Sequence, residues 1–151
     1  ATADELHTEP VCLNDVLEQS LAAAYGALSA RGITPSVQLP AEKVIRPLDA
    51  AALRRVFDNI LSNAAKYSDG DLAVVLAPDG EVTFSNRASV LSRVEAARRF
   101  YTVDSARGST GLGLSIAKLL TEKLHGTISA DYENETLRIC IAFPTEKQGG
   151  I

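Results

Sequence analysis

Three polar side chains in the segment NILSNAAKY have the types and the spacing of a magnesium and phosphate site. Asn59, Asn63 and Lys66 are separated by four and then three residues, so on a helix they fall on one strip that flanks the apolar stripe. An asparagine carbonyl oxygen is a hard ligand that suits Mg²⁺, and a lysine neutralises phosphate charge. Tyr67, the next residue, could stack on a base. Spacing alone leaves two readings open, a pocket floor and a solvated helix flank.

A second candidate is the segment RGSTGLGLSIAKLL, which contains Gly108, Gly111 and Gly113. Glycine lets the backbone approach a ligand closely, and the amides at the start of a helix attract anions. The segment lacks the Walker pattern because Leu114 stands at the position of the loop lysine, and it lacks the dinucleotide fingerprint because Ile116 replaces the third glycine. Taken alone, these residues form either a phosphate cradle or a flexible turn.

Composition limits the classes of protein to which the chain can belong. Its 151 residues, of which 46% are hydrophobic and 23% charged, are enough for one globular domain with a core. The net charge of -4, with no cluster of Lys and Arg, argues against nucleic acid as a partner. Cys12 and Cys140 lack the spacing of a metal site, so we expect reduced thiols in the core. The chain begins at Ala1 and contains no methionine, which suggests an excised domain or a processed product.

The elements that would position these segments follow from hydrophobic periodicity and turn residues. Predicted helices follow caps at Asn14 and Asp49 and run to Gly32 and about Lys66, and a third runs from Gly111 to His125. Predicted strands cover residues 11–13, 33–39, 44–45, 72–76, 82–84, 128–132 and 137–143. Short turns between neighbouring strands exclude an all-parallel sheet. The expected fold is a two-layer α/β sandwich, with a mixed sheet that about three helices cover on one face.

Three segments, NILSNAAKY, RRFYTVDSAR and GSTGLGLSIAKLL, in this order and separation, resemble the catalytic ATP-binding (HATPase_c) domain of sensor histidine kinases. These domains belong to the GHKL ATPase superfamily, and the resemblance runs from about Val11 to Pro144. It implies a Bergerat fold in which ATP lies between the second helix and a lid at about residues 87–110. We expect residues 1–10 to be a leader or a remnant of a preceding dimerisation region, 11–144 the kinase catalytic domain, and 145–151 a disordered tail.

The resemblance also implies roles for individual residues. Asn63 would hold magnesium with Asn59 beside it, Lys66 would contact phosphate, Tyr67 would pack on the adenine, and Arg107 would reach the terminal phosphate. The implied catalytic residues are Asn63, Lys66 and Arg107. The implied nucleotide-binding residues are Asn59, Asn63, Lys66, Tyr67, Asn86, Arg107, Gly111, Leu112, Gly113 and Leu114.

The reaction and partners that the resemblance implies extend beyond this chain. The γ-phosphoryl of Mg-ATP would pass to a histidine on a dimerisation and histidine phosphotransfer domain, and then to an aspartate on a response regulator receiver domain. His7 and His125 lack the sequence context of that acceptor. The implied parent is a homodimer anchored in the cell membrane, and this chain is its cytoplasmic, monomeric catalytic part in a two-component system.

The chain departs from the family pattern after the central hairpin. Asn86 stands where an aspartate usually accepts from the adenine amino group, and Ala88 and Val90 replace glycines. Ala97 replaces a phenylalanine of the following segment. A neutral acceptor contributes about 1 kcal/mol less than a charged one, so ATP binding is predicted to be about fivefold weaker. A rotated amide could face the carbonyl of guanine, which predicts relaxed base selectivity.

These departures leave an alternative from another functional class. A nucleotide-sensing or protein-binding module could keep the fold without kinase turnover, although the intact segments NILSNAAKY and GLGLS weigh against it. An anti-sigma-factor serine kinase would share the superfamily fold, but RRFYTVDSAR fits the sensor kinases better.

Overall fold

The computed structural model describes residues 6–89 and 110–143, with the backbone alone at 110–113. Three helices and seven strands lie in this part of the chain. Their order is β1 (Glu9–Cys12), α1 (Leu13–Ala30), β2 (Ser36–Gln38), β3 (Ile45–Leu48), α2 (Ala50–Tyr67), β4 (Gly70–Leu76), β5 (Val82–Arg87), α3 (Thr110–Lys123), β6 (Thr127–Glu133) and β7 (Thr136–Ala142). None of these helices is long and apolar enough to cross a membrane.

The sheet is mixed, as the short connections predicted. Its strand order is β2-β4-β5-β7-β6. β2 pairs in parallel with β4, and the other three pairings are antiparallel. β1 and β3 form a separate antiparallel pair. The three helices pack on the five-stranded sheet, with α2 in contact with both α1 and α3, so the predicted α/β sandwich is confirmed.

The helix α2 forms where the sequence combines a cap with an apolar stripe. Asp49 accepts a hydrogen bond from the amide of Ala52 at 2.9 Å, which satisfies a donor that the first turn of a helix leaves free. Phe57 is fully buried, and its ring lies 5.8 Å from the ring of Phe84 on β5, tilted by 52°. The other predicted stripe residues are also buried, namely Leu53, Val56, Ile60, Leu61 and Ala64. The contact between the Phe57 and Phe84 rings joins the helix layer to the sheet.

The start of α1 corrects the prediction that Asn14 is its cap. The helix begins at Leu13, and Cys12 occupies the cap position without a side-chain hydrogen bond. The Asn14 amide instead donates to two carbonyls of the loop 40–44 at 3.3 and 3.4 Å and accepts from the Val44 amide at 2.9 Å. A tertiary contact explains the difference. This loop crosses the start of the helix, where the Leu13 amide donates to the Val44 carbonyl at 2.8 Å.

The end of α3 is also set by local geometry. The helix ends at Lys123, two residues before the predicted end at His125. His125 adopts a positive φ of 65°, and the Gly126 amide then donates to the Thr121 carbonyl at 2.9 Å. A side chain at Gly126 would lie 2.7 Å from the Phe143 ring, so glycine is required there. His125 therefore acts as a helix-end residue.

The Asp49 cap predicts a specific pH dependence of stability. Hydrogen bonds from the amides of Ala52 and His7 hold the pKa of Asp49 below its ordinary value of 3.8. A lowered pKa in the folded state stabilises the fold at pH values above the pKa of the unfolded state, and that stabilisation is lost as the pH falls through the pKa of the folded state.

Asp49→Ala is expected to cost about 1 kcal/mol of unfolding free energy at neutral pH. Asp49→Asn keeps a capping side chain but cannot titrate, so its stability should fall less than wild-type stability between pH 5 and pH 2, measured by thermal unfolding. Identical pH profiles for wild type and Asp49→Asn would contradict this role.

Candidate functional site

The predicted nucleotide-binding segments meet at one end of the sheet. The Asp69 amide, just after α2, donates to the Arg87 carbonyl at the end of β5 at 2.7 Å. Arg87 pairs with Thr136 at the start of β7, and Thr136 pairs with Glu133 at the end of β6. The end of α2, the end of β5 and the end of β6 therefore lie together.

The start of α3 lies at the same end. α3 has 14 residues and β6 has 7, so both are roughly 21 to 23 Å long. A tight turn connects them and α3 contacts β6, so the helix lies alongside the strand in the opposite direction. The glycine-bearing first turn of α3 is consequently near the end of β6, on the side of the molecule that holds Tyr67 and Asn86.

Asn63 carries the most informative feature of the site, a buried carbonyl oxygen without a partner. The residue is 6% exposed, and no residue that the structure describes hydrogen-bonds to Oδ1. Nδ2 of Asn59 is also buried and has no hydrogen-bond partner among the described residues. An unsatisfied buried polar group costs about 1–3 kcal/mol, so such a group in a folded protein is normally met by water, an ion or a ligand. The two asparagines are therefore arranged to meet something other than the described chain.

The direction in which these asparagines point follows from helix geometry. Residues two apart on a helix are about 200° apart around its axis. The α2 residues that line the side facing α1 are Asp58, Leu61, Ser62, Ala65 and Lys66, so Asn59 and Asn63 lie outside that set. Because α2 packs on α3 as well, we expect both amides to lie nearer to α3 than to α1.

Ser115 on α3 is a residue to which the sequence analysis gave no role. It is 5% exposed, and its Oγ is buried without a hydrogen-bond partner among the described residues. In GLGLSI the serine stands between two apolar residues, a context that does not distinguish a buried hydroxyl from an exposed one. Periodicity could not show that this hydroxyl faces the interior.

Asn86 is a buried amide near the end of β5. It lies on β5 with the same inward orientation as Val82 and Phe84, and is 7% exposed. Its Nδ2 donates to the Arg87 carbonyl at 3.0 Å. That bond uses one of the two Nδ2 hydrogens, so Oδ1 can accept and the other Nδ2 hydrogen can still donate.

Lys66 and Tyr67 form the end of α2, which Arg31 holds in place. Lys66 is exposed and Tyr67 half-buried. The Arg31 guanidinium donates to the carbonyls of Ala65, Lys66 and Ser68 at 2.5, 2.8 and 3.0 Å. A cation at this position satisfies free carbonyls and complements the helix dipole. This role of Arg31 is not predicted by local sequence, because its partners are more than 30 residues away.

The glycine-bearing segment supplies backbone rather than side-chain chemistry. Gly111, Leu112 and Gly113 lie in the first turn of α3, where amides have no acceptor within the helix. Leu114 is 1% exposed and belongs to the core, so any contact with a ligand would use its main chain. Arg107 and most of the predicted lid, including Val90 and Ala97, lie outside the described residues.

The residues just before position 90 are firmly attached to the sheet. The Asp69 carboxylate accepts from the amide of Ser89 at 2.7 Å and from its hydroxyl at 3.0 Å, and these bonds lower the pKa of Asp69. Ala88 is buried, and its carbonyl accepts from the Tyr132 hydroxyl at 2.6 Å. An alanine in place of the family glycine is therefore accommodated in this packing.

A magnesium ion would find one suitable protein ligand here. Within residues 6–89 and 110–143, no group of three His, Cys, Asp or Glu side chains could hold a metal. Mg²⁺ commonly takes only one or two protein oxygens and completes its shell with phosphate and water. The Oδ1 of Asn63, which has no hydrogen-bond partner in the described part of the chain, fits that requirement.

Comparisons with known proteins agree on one family. The model of the histidine kinase-, DNA gyrase B- and HSP90-like ATPase family matches residues 48–147. Sensor histidine kinase YcbM of Bacillus subtilis strain 168 is 29% identical over 152 residues, which cover 91% of this chain and 49% of YcbM. Sensor protein kinase WalK of Staphylococcus saprophyticus is 33% identical over 135 residues, which cover 79% of this chain and 22% of WalK. The chain thus spans about half of YcbM and less than a quarter of WalK.

A solved structure shows the same fold. The catalytic domain of histidine kinase ThkA, in a nucleotide-free form, superposes with a TM-score of 0.77 at 15% sequence identity. The superposition covers 93% of this chain and 97% of the ThkA domain.

Proposed function

The chain belongs to the histidine kinase-, DNA gyrase B- and HSP90-like ATPase family as a sensor histidine kinase ATP-binding domain, and we propose that it binds Mg-ATP and transfers the γ-phosphoryl to a histidine. The observation that carries this proposal is the buried Oδ1 of Asn63, which has no partner within the described residues. A hard oxygen acceptor at the edge of a helix that faces a glycine-bearing helix start suits a metal-bound triphosphate.

The chain's own residues would bind and orient the nucleotide. Asn63 Oδ1 would hold the magnesium ion, which when bound neutralises charge on the phosphates. Lys66 would contact phosphate, and the free amides at the first turn of α3 would bind phosphate oxygens. Asn86 would accept from the base, and Tyr67 would pack against it. Arg107 keeps its predicted role at the terminal phosphate.

The nucleophile and the partners would lie elsewhere. The described residues place His7 in a backbone contact with Asp49 and His125 at a helix end. We propose that the acceptor histidine belongs to a dimerisation and phosphotransfer domain of a homodimeric parent protein, anchored in the membrane. A response regulator receiver domain would then take the phosphoryl group.

A transfer assay tests this proposal against the module without turnover. The chain is mixed with a dimerisation domain from the same protein and with γ-labelled Mg-ATP. The expected result is an acid-labile, base-stable label on the dimerisation domain. Bound nucleotide without transfer would instead favour the sensing module, for which the departures at Asn86 and Ala88 are the supporting observation. Absence of nucleotide binding in calorimetry would contradict both the kinase and the nucleotide-sensing module and would favour a protein-binding module.

Replacing Asn86 by aspartate is expected to tighten ATP binding about fivefold, because a charged acceptor contributes about 1 kcal/mol more than a neutral one. Binding of GTP should not tighten, since a carboxylate cannot donate to the guanine carbonyl. Isothermal titration calorimetry with both nucleotides measures the effect. Asn134→Asp is the matched control, since it changes net charge equally at an exposed turn between β6 and β7. Equal gains in the two variants would show that only net charge matters.

A further inference from the structure

The end of α1 is a rigid point of the fold. Gly32 adopts a positive φ of 73°, and its amide donates to the Ser29 carbonyl at 2.9 Å while the Ile33 amide donates to the Leu28 carbonyl at 2.9 Å. This pair of bonds is a Schellman motif, and the two apolar residues that commonly close such a motif, here Leu28 and Ile33, are both buried. Arg31 is the cap residue of the helix, so its backbone has a fixed position.

The Arg31 guanidinium holds the chain on both sides of Tyr67. It donates to the carbonyls of residues 65, 66 and 68, and α2 ends at Tyr67 with Ser68 as its cap. The last carbonyls of a helix lack acceptor partners within the helix. A planar guanidinium has several donors in a fixed fork and can meet several carbonyls at once, whereas the ammonium of a lysine is a compact point charge. The backbone that carries Tyr67 is therefore attached to the end of α1.

A second set of bonds attaches the same segment to β5. The Asp69 amide donates to the Arg87 carbonyl at 2.7 Å, and Nδ2 of Asn86 donates to that same carbonyl at 3.0 Å. Ser68, the last of the Arg31 acceptors, directly precedes Asp69. The backbone around Tyr67 is thus held between α1 and the strand that carries Asn86, the other residue proposed to contact the base.

We propose that Arg31 is a positioning residue for the nucleotide base and that it acts through Tyr67. This inference rests on the proposed function, in which Tyr67 packs against the base. With the guanidinium in place, the end of α2 is ordered before the nucleotide binds, so that binding does not include the cost of ordering Tyr67. Without it, three carbonyls lose their partner, the last turn of α2 loosens, and the nucleotide has to order Tyr67 as it binds. The role requires no contact between Arg31 and the nucleotide.

Arg31→Lys tests the proposal without a change of net charge. Mg-ATP is expected to bind the variant about fivefold more weakly in isothermal titration calorimetry, because an ammonium cannot meet the three carbonyls and ordering one side chain costs about that much affinity. Arg55→Lys is the matched control, since it makes the same change at an exposed position of α2, and it should leave the dissociation constant unchanged. Equal dissociation constants for wild type and Arg31→Lys would overturn the proposal.

A second control separates positioning from stability. Asp49→Ala removes the cap at the opposite end of α2, so it should lower stability and leave the dissociation constant of Mg-ATP at the wild-type value. Urea denaturation establishes that both variants are folded under the conditions of the titration. Equal weakening of Mg-ATP binding in Asp49→Ala and Arg31→Lys would show that Arg31 only stabilises the fold, and would overturn the proposal.

A double-mutant cycle tests whether Arg31 acts through Tyr67. In the Tyr67→Ala background, Arg31→Lys should change the dissociation constant by less than about twofold, because the side chain to be positioned is absent. The full loss of affinity in that background would overturn the proposal. A wild-type chain that does not bind Mg-ATP would overturn the proposed function together with this inference, whereas normal wild-type binding with an unaffected Arg31→Lys variant would overturn this inference alone.

Discussion

Asn63→Ala is expected to lower the rate of phosphoryl transfer by about 100-fold or more while leaving the nucleotide-free domain at least as stable as wild type. The loss of activity follows from removing the protein oxygen that would hold magnesium, a contribution of several kcal/mol to a charged transition state. Stability moves the other way, because the removed Oδ1 is buried without a partner in the described chain. Deleting an unsatisfied acceptor and introducing a better helix former should add up to about 1 kcal/mol to the unfolding free energy.

Two measurements separate these effects. Transfer of labelled phosphate to the dimerisation domain reports the rate, and urea denaturation without nucleotide reports stability. Ser62→Ala is the matched control, because Ser62 is the exposed neighbour on α2 and lies on the α1 side of the helix. It should change neither quantity by much. A variant of Asn63 that unfolds more easily and keeps its activity would show that the amide is structural.

The elements that the sequence predicted best are those that local pattern determines. The stripe of α2 and its Asp49 cap need only neighbours within the helix, and both were predicted correctly. The prediction that Asn14 caps α1 was wrong because its side chain bonds to a loop 26 to 30 residues away. A capping residue identifies a helix start only where no distant segment competes for its side chain.

The candidate site also contains residues that local sequence predicts and residues that it does not. Short segments predicted that Asn63, Tyr67 and the glycines would contribute, and the topology brings the ends of α2, β5 and β6 together with the start of α3. The buried hydroxyls of Ser20 and Ser115, which have no partner among the described residues, could not be predicted, since a buried serine and an exposed one have the same local sequence signal. The role of Arg31 could not be predicted either, because its partners are backbone carbonyls of a distant helix end, which any residue type can supply.

The packing that fixes this arrangement is concentrated at Phe57. The ring is fully buried at the centre of α2 and meets Phe84 on β5, two residues before Asn86. Truncation here leaves a cavity between the helix layer and the sheet. The same contact therefore supports the core and sets the position of α2 relative to the strand that carries the proposed base acceptor.

Phe57→Ala is accordingly expected to lower the unfolding free energy by about 3–5 kcal/mol, a large share of the 5–15 kcal/mol typical of a domain. Phe57→Leu keeps most of the volume and should cost less than about 1.5 kcal/mol. Urea denaturation followed by circular dichroism measures both. Saturating Mg-ATP at about 100 times its dissociation constant should return about 2.7 kcal/mol to either variant, provided that the site still forms. Equal losses in the two variants would show that the aromatic ring does not carry the contact between α2 and β5.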